Sequence, residues 1–126
     1  MSDLSSITAS NREFEIVSPE DDQPIGLVFD LRPGSSDEVK AFEKKWTDSQ
    51  LRKRGIQKLT AAGLEFRNTG RIVSAVAGWT WKGDASWHGE KPEFSEATLR
   101  EVMKEADWIR VQLDEELGNE AAFFKS

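Results

Sequence analysis

Along the first thirty residues, apolar positions fall in two short runs of strand character. Phe14, Ile16 and Val17 open one run, and Ile25 to Leu31 form another, with Val28, Phe29 and Leu31 as its apolar members. Between them, residues 18–24 carry two prolines and three acids, which is turn chemistry, so the two runs predict a β-hairpin. A hairpin alone is marginally stable in water and needs a helix or a partner to cover it. Residues 1–12 before it are polar and are read as a flexible tail; residues 13–126 are read as one domain.

After Arg32-Pro33-Gly34 the period changes. Ser35 followed by Glu38 has the spacing of a capping box, and Asp37 and Glu38 suit the positive end of a helix. The apolar stripe behind it runs Val39, Phe42, Trp46, then weakly through Gln50 to Ile56, Leu59, Gly63 and Phe66, at helical spacing. Gly55 and Gly63 each weaken a helix by about 1 kcal/mol relative to Ala, so a bend or break is expected near Gly55. Asn68-Thr69-Gly70 is read as punctuation. Residues 71–78 (RIVSAVAG) suit a strand by their Ile and Val and a short buried helix by their alanines; helix is the preferred reading. Trp79-Thr80-Trp81-Lys82-Gly83 and a loop containing Trp87 and His88 follow. Ser95 is a suitable N-cap, with Phe94 and Leu99 at the positions of a hydrophobic staple. Leu99, Val102, Met103, Ala106, Ile109, Leu113 and Leu117 continue the stripe, as one helix or as two joined at Asp107-Trp108, with Gly118 as the stop. The expected fold class is therefore α+β, mainly helical with an N-terminal β-hairpin.

Composition narrows the setting. Charged residues are 32% of the chain and hydrophobic ones 37%, enough apolar material for one modest core. There is no cysteine, so disulfides and thiolate metal sites are excluded. No apolar run approaches a membrane span, and residues 1–12 lack the apolar stretch of a signal peptide; a cytoplasmic protein is expected. Net charge is −6 but uneven: residues 31–67 hold nine bases and five acids, inside a chain that is otherwise acidic. That excess is weaker than nucleic-acid binders normally show, and acids share the stretch with Lys44, Lys45, Arg52, Lys53, Arg54 and Lys58. A solvated helix face is the default reading of such a run.

Candidate chemistry is sparse. His88 is the single histidine, so paired-histidine metal patterns are absent and a solvated loop histidine is the simpler reading. Glu20-Asp21-Asp22 lacks calcium-loop spacing, residues 78–83 lack the Lys-Ser/Thr of a phosphate loop, and the C-terminal carboxylates fall on an amphipathic helix. No enzyme, cofactor or metal is expected. The aromatics are the unusual feature: five Trp and seven Phe with no Tyr. Helical spacing favours core packing for Trp46 and Trp108. Trp79, Trp81 and Trp87, read as lying around glycines in a loop, suit a satellite core and an interface anchor equally well.

The order of these features resembles a group of tail assembly chaperones of long-tailed bacteriophages and prophages. The resemblance rests on the hairpin turn Gln23-Pro24-Ile25-Gly26, the strand end Asp30-Leu31-Arg32-Pro33-Gly34-Ser35 and the charged helix behind it. It continues through Gly78-Trp79 and the loop into Phe94-Ser95. It ends with Asp107-Trp108-Ile109-Arg110-Val111-Gln112-Leu113-Asp114, the aromatic pair Phe123-Phe124 and Ser126. It spans most of the chain from Phe14 onward. Two departures stand out: Ala106-Asp107 precede Trp108 where a helix-breaking proline is expected, and Phe124 adds a second aromatic.

The resemblance implies a protein of the host cytoplasm, absent from the finished virion. It would coat the tape-measure protein, help recruit tail-tube protein and self-associate, without membrane or nucleic-acid partners. Trp79, Trp81, Trp87, Trp108, Phe123 and Phe124 are the expected apolar anchors, and Arg52, Lys53 and Arg54 a basic patch for an acidic partner. A structural tail component retained in the virion, such as a terminator or connector, is the alternative, followed by a nucleic-acid-binding regulator.

Overall fold

The computed structural model describes residues 7–52 and 61–124. Two N-terminal strands, β1 (Arg12–Val17) and β2 (Pro24–Leu31), form the expected antiparallel hairpin. Their turn closes through Ser18 N–H to Gln23 O (2.8 Å) and Asp22 N–H to Ser18 O (2.9 Å), with Asp22 in the left-handed region at φ 58°. Asp tolerates that region better than most residues. Ser10 and Ala9, within the segment read as a flexible tail, are already held: Ser10 N–H donates to Phe123 O at 2.9 Å, and Ala9 packs on the core.

Two antiparallel helices follow, α1 (Asp37–Arg52) and α2 (Ala61–Ala75). The N-cap of α1 is Ser36 rather than Ser35. Its hydroxyl accepts from Val39 N–H at 3.4 Å, which places Asp37 and Glu38 in the first turn and removes Glu38 from the capping-box position. The expected bend near Gly55 lies outside the described residues. Asn68, Thr69 and Gly70 do not interrupt the chain; they sit inside α2. Gly70 is there because Phe42 of α1 lies on it: a Cβ at Gly70 would fall 2.4 Å from the Phe42 ring. The glycine thus reports a close helix–helix approach rather than a turn.

Residues 71–78 divide between the two readings. Arg71 to Ala75 complete α2, and β3 (Val76–Trp81) begins at once, so the preferred all-helix reading is corrected for its last three residues. Valine, threonine and tryptophan suit a pleated surface, and β2 offers a partner. Phe29 pairs with Trp79 and Leu27 with Trp81, giving a three-stranded antiparallel sheet in the order β1-β2-β3. Trp79 and Trp81 therefore stand on a strand, not in a loop.

The last helical stretch is two helices, α3 (Glu96–Glu105) and α4 (Asp107–Leu117). Ser95 caps α3 as expected, accepting from Thr98 N–H at 3.1 Å. The joint is Ala106, at φ −117° and ψ 76°, one residue ahead of the expected position. Gly118 closes α4 in right-handed geometry (φ −76°), so its role as a stop does not use the left-handed region. A 3-10 turn, Glu120–Phe124, ends the described chain.

One face of the sheet carries Ile16, Leu27, Phe29 and Leu31, all buried, against Ile72 and Val73 of α2, Leu99 and Val102 of α3, and Ile109 and Leu113 of α4. The opposite face bears Glu13, Glu15 and Asp30, in register with Gly78 and Thr80 of β3 through β2. The chain is thus an α+β fold with a sheet covered on one side. No described helix is long and apolar enough to cross a membrane.

Candidate functional site

Where β2 begins and β3 ends, the sheet needs a tight closure. Gly26, at φ +91°, provides it, since a Cβ there would lie 2.5 Å from the Lys82 carbonyl oxygen. Lys82 N–H donates to Gly26 O at 2.7 Å and Ala85 N–H to Lys82 O at 3.1 Å, turning the chain away from the sheet beside Trp81. The loop then makes a miniature hairpin. Trp87 and Glu90 exchange backbone hydrogen bonds of 2.7 and 3.0 Å across His88 and Gly89, whose φ values are 52° and 81°. Two central residues with positive φ are what a two-residue hairpin of primed type requires.

Two ties to the body and one across its own base hold this loop. Trp79 Nε1 donates to Pro92 O (2.9 Å), Lys91 Nζ donates to Gly83 O (2.7 Å), and His88 Nε2 lies 2.9 Å from Glu105 Oε2 on α3. On the other side, the Ala106 joint starts α4 afresh, so that Trp108 and Ile109 face the same space. The result is a cleft of about 230 Å³ lined by Ile25 and Leu27 of β2, Trp81 of β3, Trp87 of the loop, and Trp108 and Ile109 of α4, with Ala85 and Ser86.

Three of the expected anchors, Trp81, Trp87 and Trp108, therefore converge, each half-buried and packed at the edge of the core. Trp81 carries a further mark. Its Nε1–H is shut off from solvent and has no acceptor among the described residues, a deficit that costs on the order of 1–3 kcal/mol. Trp79 is not part of the cleft. It stacks edge-on with Phe29 (6.0 Å), Trp81 (5.5 Å) and Phe94 (5.3 Å), and serves as the wedge behind it. Phe123 is only 2% exposed and belongs to the core, beneath the Arg12 guanidinium at 5.7 Å, so it is no surface anchor in this chain by itself. Phe124 is 53% exposed but borders a different depression, of about 360 Å³, with Pro33, Val39, Arg67 and Arg71. Glu43 sits between the two arginines there, 2.9 Å from Arg67 and 3.8 Å from Arg71, and Glu120 adds a second acid, so that depression has no single sign of charge. Lys53 and Arg54 lie outside the described residues, and Arg52 is the last residue of α1.

Chemistry in the cleft is that of apolar contact. Beside Trp108 on α4, Arg110 Nε meets Asp107 Oδ1 at 2.7 Å. That hydrogen bond holds the Asp107 carboxyl below its ordinary range and raises Arg110 further, with Asp114 and Glu65 adding to the latter. Among the described residues, no three His, Asp or Glu side chains converge to hold a metal ion. Ile25 and Ile109 are cleft residues that the sequence did not single out. Ile25 is 37% exposed at the first turn of β2, and its neighbour Gly26 was the available signal. In comparisons with known proteins, no family model, curated protein or solved structure matches the chain.

Proposed function

We propose that this chain is a tail assembly chaperone of a long-tailed phage or prophage, acting by holding apolar stripes of the tape-measure protein and releasing them to tail-tube protein. The observation that carries the reading is the convergence of Trp81, Trp87 and Trp108 around Ile25 in one open apolar cleft. At about 230 Å³ the cleft lies below the roughly 300–1,000 Å³ of small-molecule pockets. It has the scale of aliphatic side chains projecting from one turn of a partner helix, which is how amphipathic helices are recognised in grooves. Tryptophan anchors dominate such contacts, and many weak copies along one long client would add up through multivalency. Weak single contacts also permit displacement by tube subunits. The protein would act in the host cytoplasm and leave the particle before maturation.

The test is co-expression of the full chain with the tape-measure protein. The wild-type chain should raise the client's soluble yield. Trp87→Ala combined with Trp108→Ala should abolish the gain and weaken binding by about 30-fold, the effect of losing roughly 2 kcal/mol at an anchor pair. An undiminished soluble yield with the double variant, or recovery of the chain from purified virions, would remove the reading in favour of a structural tail component.

A further inference from the structure

The tryptophan cleft holds a polar group with nothing to bond. Trp81 Nε1–H is shut off from solvent and has no acceptor among the described residues. Trp79, two residues earlier on the same strand, shows the usual outcome for a buried indole: its Nε1–H donates to Pro92 O at 2.9 Å. Trp81 pairs instead with Leu27 across the sheet and lines the cleft with Ile25, Ala85, Trp87, Trp108 and Ile109. None of those side chains carries an acceptor, because an indole nitrogen only donates. Ser86 has the only hydroxyl among the lining residues, and it is exposed and makes no hydrogen bond to Trp81. No lining side chain is charged. The depressions bordered by Phe124, by Gly78 and by His88 do not include Trp81.

We infer that the occupant of the cleft is an apolar helix stripe interrupted by a glutamine or asparagine, whose side-chain carbonyl oxygen accepts from Trp81 Nε1–H. A buried donor without a partner bears the full desolvation cost of the group, and an acceptor brought by the ligand recovers it. A filling made of hydrocarbon alone leaves that cost in place, so the cleft distinguishes the two. The acceptor is uncharged. The lining offers no cation to a carboxylate, and Arg110, two residues from Trp108, is already engaged by Asp107 at 2.7 Å. Burying an unpaired carboxylate costs more than one hydrogen bond returns. The backbone carbonyls inside a client helix are spent on its own ladder, which leaves a side chain as the source. A side-chain amide meets both demands: an apolar stem for the tryptophan walls and a neutral carbonyl at its end, with its NH2 left to Ser86 or to water. Sites built around a hydrogen-bonding group discriminate strongly against ligands that lack the partner. The inference rests on the cleft reading above and narrows it, from apolar stripes in general to stripes that carry an amide.

Overlapping helix-length peptides covering the tape-measure protein, titrated against the full chain, test this. Peptides that bind the wild-type chain and lose binding with Trp87→Ala/Trp108→Ala are the cleft ligands, and each should carry Gln or Asn within its apolar stripe. Changing that residue to Leu should weaken binding to the wild-type chain about tenfold, and changing it to Glu by at least as much. With Trp81→Phe, the amide peptide and its Leu version should bind alike, because the N–H that tells them apart is gone. A second readout uses the wild-type chain alone. The indole N–H resonance assigned to Trp81 should move downfield when the amide peptide binds and stay in place with the Leu version. Cleft ligands without Gln or Asn, equal affinity of the two peptides for the wild-type chain, or a Trp81 indole resonance indifferent to the amide peptide overturns the inference and leaves the cleft reading standing. If no peptide depends on Trp87 and Trp108, the cleft reading itself fails and the inference falls with it.

Discussion

Gly70 was read as punctuation because glycine usually breaks a helix, yet here it occupies the middle of one. Its value lies in what it lacks. A Cβ would lie 2.4 Å from the Phe42 ring, so a side chain at this position and Phe42 in its present rotamer exclude each other. Two terms then compete on Gly70→Ala: helix propensity gains about 1 kcal/mol, and overpacking costs about 1–3 kcal/mol. The clash should win, lowering stability by about 1 kcal/mol in urea titrations. In a Phe42→Ala background the clash partner is gone and the same change should stabilise. A change of sign between the two backgrounds checks the argument; the same sign in both defeats it. The sequence could not reveal this pair, since the residues that require the glycine lie 28 positions away on another helix. Tryptophans show the same limit. Trp81, Trp87 and Trp108 were legible as large amphipathic side chains, but only the register Leu27–Trp81 and the Ala106 joint bring them together.

At the scale of elements, local signals were most informative where the chain organises itself. The turn between β1 and β2, the Ser95 cap and the Gly118 stop all depend on residues within a few positions, and they stand as read. β3 depends on β2, more than forty residues upstream, and its six residues alone are compatible with helix. The break between α3 and α4 lies between these cases. Nothing in Ala106-Asp107 announces a joint, since the apolar stripe runs through it with Leu99, Val102, Met103, Ala106, Ile109 and Leu113 all buried. The structure nevertheless leaves α4 to begin at Asp107, and first helical positions accept proline because their N–H has no helical partner. Ala106, at φ −117° and ψ 76°, is outside the helical region that a following proline disfavours. Asp107→Pro should therefore be tolerated, with a melting midpoint close to wild type, because the Arg110 contact it removes is exposed and solvent-screened. Ala106→Pro should cost about 3 kcal/mol or more, because Ala106 N–H donates to Val102 O at 2.8 Å and its φ is far from proline's. Thermal melts of the two variants decide it, and equal losses would mean that the two helices are not joined at Ala106.

For the molecule as a whole, the question is what holds its two ends together. β1 opens the fold and α4 nearly closes it, and they meet through contacts no local reading could find. Gln112 is the central one: its Oε1 accepts from Val17 N–H at 3.0 Å while its Nε2 donates to Val17 O at 2.9 Å, across 95 positions. Arg12 adds an ion pair to Glu116 at 2.9 Å, and Ser10 N–H reaches Phe123 O. The amide of Gln112 thus takes the place of a neighbouring strand at the end of β1, where the register shifts between Glu15 and Val17. An edge strand left open is a template for pairing with another chain, and this one is blocked by a side chain, a bulge and two outward glutamates. Gln112→Met keeps the length and apolar stem of the side chain and removes both hydrogen-bonding groups, so it isolates the amide. The two partly buried groups of Val17 would lose their partners together, for a cost of about 1–3 kcal/mol. The urea midpoint should fall with little change in slope, since no additional surface is exposed. Hydrogen exchange at the Val17 amide should accelerate by more than at Phe14 or Glu15, which sit deeper in the ladder. If the midpoint and the Val17 exchange rate both stay at wild-type values, the ends are held by the core alone and the amide bridge contributes nothing to the fold.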